Sequence, residues 1–129
     1  MYGTSTHRGA CTTLMLRGVP RTHTHNEVLM EVLRFINLDT LDFLYVPWRW
    51  GSRTNMSYAI VNFCSRNLMI LAARRLTGQV CAGSLGSRRW RPIEVHPARI
   101  QGYAANVRAF LRSGFVQEGR EHLNPTLVL

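Results

Sequence analysis

Met56-Ser57-Tyr58-Ala59-Ile60-Val61-Asn62-Phe63 is the stretch from which the rest of this chain is best read. Its alternation has period two, which sends Ser57, Ala59, Val61 and Phe63 to one side of a strand and Met56, Tyr58, Ile60 and Asn62 to the other. The first set is small or apolar and suits a core. The second offers an aromatic ring, apolar side chains and an amide on an open face.

Upstream, Cys11 to Arg17 reads as a strand with Leu14 and Leu16 inward and Thr13, Met15 and Arg17 outward, ended by Gly18-Val19-Pro20. Thr24-His25-Asn26-Glu27 fits a capping box, the hydroxyl at the N-cap and the carboxylate three residues on. Val28, Leu29, Val32, Leu33 and Ile36 then follow at helical spacing, which carries a first helix to the neighbourhood of Asn37. Leu41 to Val46 is a second strand closed by Pro47. Phe43 and Tyr45 share one of its faces and Asp42, Leu44 and Val46 the other, and the pattern leaves open which is buried.

Downstream, Ser65 caps a second helix running through Leu76, with Leu68, Leu71, Ala72 and Leu76 as its inner stripe and Gly78 just past its end. Residues 79–87 are a loop or short hairpin. Ile93 to His96 form a fourth strand with Ile93 and Val95 inward. The order is β-α-β-β-α-β, the ferredoxin-like split arrangement: an α+β fold whose four-stranded antiparallel sheet carries helices on one face and leaves the other open. Ile100, Tyr103, Ala104, Val107, Phe110 and Leu111 mark an extra C-terminal helix from Ile100 to Leu111, whose apolar stripe must be buried against the domain. The chain thus divides into a loose segment 1–10, a folded unit 11–112 and a tail 113–129 ending in a short edge strand.

Composition fits one domain: 129 residues, 46% apolar and 18% charged, are globular values and make a single core. No apolar run is long enough to span a bilayer, and the first residues lack the apolar stretch of a secretory leader. Cys11, Cys64 and Cys81 are widely spaced with no C-x-x-C, so reduced thiols and a nuclear or cytoplasmic setting are expected. His23 and His25 form an H-x-H that reads as loop polarity, so neither metal nor cofactor is expected. The net charge is +9 and all 16 basic residues are Arg. That balance favours a polyanionic partner, and guanidinium groups grip phosphates bidentately and stack on bases. The seven acids are scattered, with no G-x-S-x-G and no phosphate-cradling glycine loop, which argues against an enzyme.

The octamer resembles the third-strand motif of an RNA-recognition motif. Leu14-Met15-Leu16-Arg17-Gly18-Val19-Pro20 resembles the first-strand hexamer of the C-terminal RNA-recognition motif of the Mei-two-like family. Leu41-Asp42-Phe43-Leu44-Tyr45-Val46-Pro47 and Ala98-Arg99-Ile100-Gln101-Gly102 match further blocks, and the likeness runs from Thr12 to Leu111. It implies the RNA-recognition fold with an added C-terminal helix, and single-stranded RNA as the ligand. The chain departs from the family at Ile60, where an aromatic residue is usual, at Met56, where many such motifs are basic, and at Pro97, which replaces an aromatic residue.

The three stacking positions of that motif fall on Met15, Tyr58 and Ile60, of which Tyr58 alone is aromatic. Trp48, Arg49, Trp50 and Arg53, in the loop between the second and third strands, supply stacking rings and guanidinium groups to compensate. Arg17 is placed to hold a phosphate, Asn62 and His96 to hydrogen-bond base edges, and Arg99 to continue the RNA path. The expectation is a post-transcriptional regulator that binds single-stranded RNA across its sheet and the Trp-Arg loop. The rival is a protein-interaction module on the same fold, favoured by the apolar Met15 and Ile60.

Overall fold

Strands β1 (Thr13–Arg17), β2 (Leu41–Tyr45), β3 (Tyr58–Phe63) and β4 (Glu94–Pro97) form an antiparallel sheet, to which β5 (Thr126–Leu127) adds a short edge beside β2. The strand order is β4-β1-β3-β2-β5. These come from a computed structural model that describes residues 11–49, 51–81, 91–112 and 126–127. Helices α1 (His25–Val32) and α2 (Arg66–Leu76) lie between the strands in sequence, and α3 (Tyr103–Arg112) follows β4. This is the ferredoxin-like β-α-β-β-α-β arrangement with an extra C-terminal helix.

The core lies between the sheet and the first two helices. Leu14 and Leu16 of β1, Leu41 and Leu44 of β2, and Ala59, Val61 and Phe63 of β3 meet Val28 and Val32 of α1 and Met69, Ala72 and Leu76 of α2. Each Leu or Val fully buried this way contributes roughly 1.5–3 kcal/mol. The capping box closes as the residues demand: Glu27 N–H donates to Thr24 Oγ1 at 3.2 Å, and Thr24 N–H donates to Glu27 Oε1 at 2.8 Å. Ser65 Oγ likewise accepts from Leu68 N–H at the start of α2.

Several elements differ from the alternation and periodicity of the sequence. Regular helix in α1 stops at Val32, because Phe35 and Ile36 N–H both turn back on Val32 O and tighten the last turn. Met69 takes the buried place in α2 expected of Leu71, which is exposed. The octamer does not begin as strand: Ser57 has φ +66°, a left-handed conformation, and β3 starts at Tyr58. A bulge in β2 sets Leu41 opposite Phe63 and Phe43 opposite Asn62, leaving Asp42 as the extra residue. Simple alternation would put Leu41 and Phe43 on one face. The bulge sends Leu41 into the core and Phe43 to the other side, so both faces of β2 are covered.

His23 and His25 are buried, not loop polarity. His25 Nε2 accepts from Val46 N–H at 3.0 Å, tying α1 to the end of β2, and His23 lies 3.7 Å from Glu31. The expected loose segment 1–10 lies outside the described residues, as does the tail apart from β5.

Candidate nucleic-acid interface

The sheet face turned away from α1 and α2 is ordered in rows set by strand register. One row runs His96, Met15, Ile60, Tyr45 across β4, β1, β3 and β2. A second runs Glu94, Arg17, Tyr58. The third is Thr13, Asn62, Phe43. Helix α3 decides how much of each row meets solvent.

The third row is closed. Gln101, just ahead of α3, clasps β1 as a neighbouring strand would. Its Oε1 accepts from Thr12 and Thr13 N–H at 2.9 and 2.8 Å, and its Nε2 donates to Thr13 O at 2.9 Å and Ala98 O at 2.7 Å. Gly102, at φ +96°, turns the chain so that its N–H reaches Thr13 Oγ1 at 2.8 Å. The Thr13 hydroxyl in turn donates to Asn62 Oδ1 at 2.7 Å, as does that of Thr12, and Asn62 Nδ2 donates to Asp42 Oδ1 at 2.8 Å. Asn62 is 2% exposed and its amide is spent inside the protein. The expectation that it reads base edges is therefore replaced by a structural role, holding β1, β2 and β3 in register beneath the start of α3.

The first row is half covered. Phe110 of α3 meets Tyr45 edge-on, ring centroids 5.1 Å apart, and Tyr45 touches the His25 ring at 5.7 Å. Burial pushes the Tyr45 phenol up to about 12, with a smaller contribution from the nearby Tyr58 phenol. Between α3 and the sheet remains a groove of about 380 Å³ with Met15, Tyr58 and Ile60 on its floor, Ala109 and Phe110 on one wall and Arg99 and Ile100 at its side. Met15, Tyr58 and Ile60 are half-buried there. The second row stays open: Arg17 is exposed beside Tyr58.

The stripe of α3 facing the sheet keeps Phe110, as expected, but differs elsewhere. Asn106 and Phe110 are its buried residues, while Leu111 is 59% exposed and Ile100 stands at the groove's edge. Asn106, polar and so outside an apolar stripe, falls three residues after Tyr103 and four before Phe110, on the buried side.

A family model described as RNA recognition motif 2 matches residues 11–111. The chain belongs to the RNA recognition motif 2 family. Its relatives include Protein MEI2-like 5 of Oryza sativa subsp. japonica and Protein MEI2-like 3 of Arabidopsis thaliana, each 30% identical over 115 residues and 84% of this chain. The chain spans only 13% and 14% of those proteins' lengths. Among solved structures, the Rna15 RRM with bound RNA (GU) superposes with a TM-score of 0.55 at 16% identity, covering 78% of this chain and 96% of the other. The sex-lethal RNA recognition domains 1 and 2 from Drosophila melanogaster give 0.51 at 19% identity, covering 68% and 50%. At such identities the likeness is one of fold.

Within this RNA recognition motif, the remaining candidate residues lie around the groove and at the sheet's ends. His96 is exposed on β4, with Nε2 3.3 Å from Glu94 Oε1, so the carboxylate beside Arg17 already has a neighbour of its own. Arg99 is exposed at the groove's side. The loop between β2 and β3 extends the hairpin: Trp48 bridges Asn55, Arg49 N–H donates to Thr54 O at 3.0 Å, and Met56 N–H donates to Pro47 O at 2.8 Å. Arg49 and Arg53 are exposed on it. Trp48 is half-buried with its Nε1 inside and no partner for it among the described residues, which makes it part of the loop's own packing. Trp50 lies outside the described residues.

Sequence reasoning missed Asn55, which organises this end of the face. It is fully buried, donates from Nδ2 to Pro20 O at 2.8 Å and His23 O at 3.0 Å, and accepts at Oδ1 from Ser57 N–H at 2.7 Å. The turn it builds forces Ser57 left-handed and aims Ser57 O at Gly18 and Val19 N–H, fixing where Tyr58 enters the sheet.

Proposed function

We propose that this chain is a non-catalytic module that binds single-stranded RNA along the open row of Arg17 and Tyr58 and the adjoining groove, and serves post-transcriptional regulation in the nucleus or cytoplasm. The observation that carries the reading is the placement of Tyr58: a half-buried ring flanked by Arg17 in register and by Arg99 across the groove. A ring held at a sheet surface stacks an unpaired base, and guanidinium groups at its edge take the adjoining phosphates. Met15 and Ile60 widen the contact by apolar packing, His96 extends the same row, and the guanidinium groups of Arg49 and Arg53 reach the strand from the β2–β3 loop. The net charge of +9 supports the same partner.

Titrating a labelled pool of random single-stranded RNA at low salt tests this. Binding is expected, and Tyr58→Ala is expected to weaken it by roughly 1–3 kcal/mol, the worth of one base–aromatic stack. Loss below a few tenths of a kcal/mol removes Tyr58 from the site. A protein-interaction module is the second reading, favoured by the apolar floor and wall that Met15, Ile60 and Phe110 give the groove. Absence of any RNA binding at low salt selects it.

A further inference from the structure

The groove beneath α3 has more chemistry than an apolar cleft. Asn106 lines it while being only 6% exposed. Its Nδ2 is committed to the backbone, donating to Gly102 O at 2.8 Å and Ile100 O at 3.2 Å, with Thr13 Oγ1 at 3.4 Å. Two carbonyls on one side fix the amide's orientation, because only the NH2 end can donate to them. Its Oδ1 accepts no hydrogen bond among the described residues. A side chain more than nine-tenths buried thus keeps an acceptor that water, or whatever else enters the groove, can reach.

Size limits the occupant. A groove of about 380 Å³ is near the bottom of the ~300–1,000 Å³ range of small-ligand pockets. An open RNA-recognition sheet stacks two or three bases; here the third row is shut by Gln101 and Asn106, and the first is half covered by Phe110. Room is left for one planar group, between the floor of Tyr58 and Ile60 and the wall of Ala109 and Phe110.

We infer that the groove takes a single unpaired nucleobase bearing an exocyclic amino group, inserted between the sheet and α3 with that amine donating to Asn106 Oδ1. Adenine, cytosine and guanine meet the requirement. Uracil is the poor fit, because its one ring N–H lies between two carbonyls that face the same acceptor with like partial charge. The inference rests on the RNA-binding reading above and adds to it a pocket and a base preference. Arg99 at the groove's side is placed for the phosphate of the inserted nucleotide.

Fluorescence anisotropy on the full chain with labelled oligo(A), oligo(C) and oligo(U) of one length tests it. Oligo(A) and oligo(C) are expected to bind about fivefold tighter than oligo(U), the worth of one neutral hydrogen bond. Ala109→Leu fills the groove with a good helix former and is expected to weaken oligo(A) and oligo(C) about tenfold and to erase their advantage over oligo(U). Amide shifts on the unmutated chain, titrated with adenosine monophosphate, make the test independent of how well the variant folds. Asn106, Ala109 and Tyr58 are expected to move together. Equal binding of the three oligonucleotides, an unaffected Ala109→Leu, or shifts confined to the Arg17 edge would each overturn the pocket while leaving RNA binding in place. Failure of all three oligonucleotides to bind the unmutated chain overturns both readings.

Discussion

Asn55 carries more of this face than its place in a loop suggests. Truncation to Ala would strand the His23 carbonyl and the Ser57 N–H, while the Pro20 carbonyl keeps only the His23 N–H at 3.1 Å. Each unsatisfied buried group costs roughly 1–3 kcal/mol, less where water enters, so Asn55→Ala is expected to lower the unfolding free energy by about 3 kcal/mol. Urea denaturation at constant m-value measures it; a loss under ~1 kcal/mol would mean that the turn stands without this amide. Asn55, Asn62 and Asn106 together explain where residue-level reading of the sequence stops. Alternation and helical spacing place a side chain on a face, and they placed Leu14, Leu16, Val61 and Phe63 where the core has them. They say nothing about whether a polar side chain on that face is met by other polar groups. Asn62 does lie on the side away from α1 and α2, as alternation requires, but Thr12, Thr13 and Asp42 converge on it from two other strands.

Among the elements, α3 sets the character of the face, and Tyr45 reports whether it is docked. The packed Phe110 ring and the burial it brings favour the neutral phenol, pushed up to about 12 from an ordinary value of about 10. A raised value means that the folded state holds the proton more tightly. The associated stability is whole below pH ~10 and is lost as pH climbs through 12. Parallel denaturation curves of the unmutated chain and Tyr45→Phe are expected to differ by a constant amount up to pH ~10 and to converge or cross above it. In tyrosinate absorbance, the component titrating near pH 12 is expected to vanish in the variant. A difference that stays flat to pH 12 would show that Tyr45 is solvated and α3 undocked. Element order was legible because caps, breakers and periodicity are local signals: Thr24 with Glu27, Ser65, and Gly78 just past α2. The bulge at Asp42 and the clasp by Gln101 were not, since each exists only once a second strand is alongside. The Ala98-Arg99-Ile100-Gln101-Gly102 block carries part of the family resemblance, and the clasp is the physical reason for its Gln and Gly.

For the molecule as a whole, the surplus of positive charge fixes how strongly salt should act, and the geometry says which charges count. Arg74 and Arg75 lie on α2, on the far side of the sheet from the groove, whereas Arg17 and Arg99 flank Tyr58 and Arg49 and Arg53 stand on the adjoining loop. Charge alone would let all of them attract RNA; only those near the groove can displace counterions from a strand lying in it. A single-stranded ligand loses about 0.7 in the slope of log K against log salt per neutralised phosphate, so these four arginines predict a slope of about −2.8. Arg17→Gln and Arg99→Gln are each expected to make the slope shallower by about 0.7, whereas Arg74→Gln, of equal charge, should leave it unchanged. Anisotropy titrations across a salt series separate the two cases. Equal shifts from all three substitutions would mean that RNA is held by diffuse charge over the whole surface, and that the face carrying Tyr58 has no privileged place in binding.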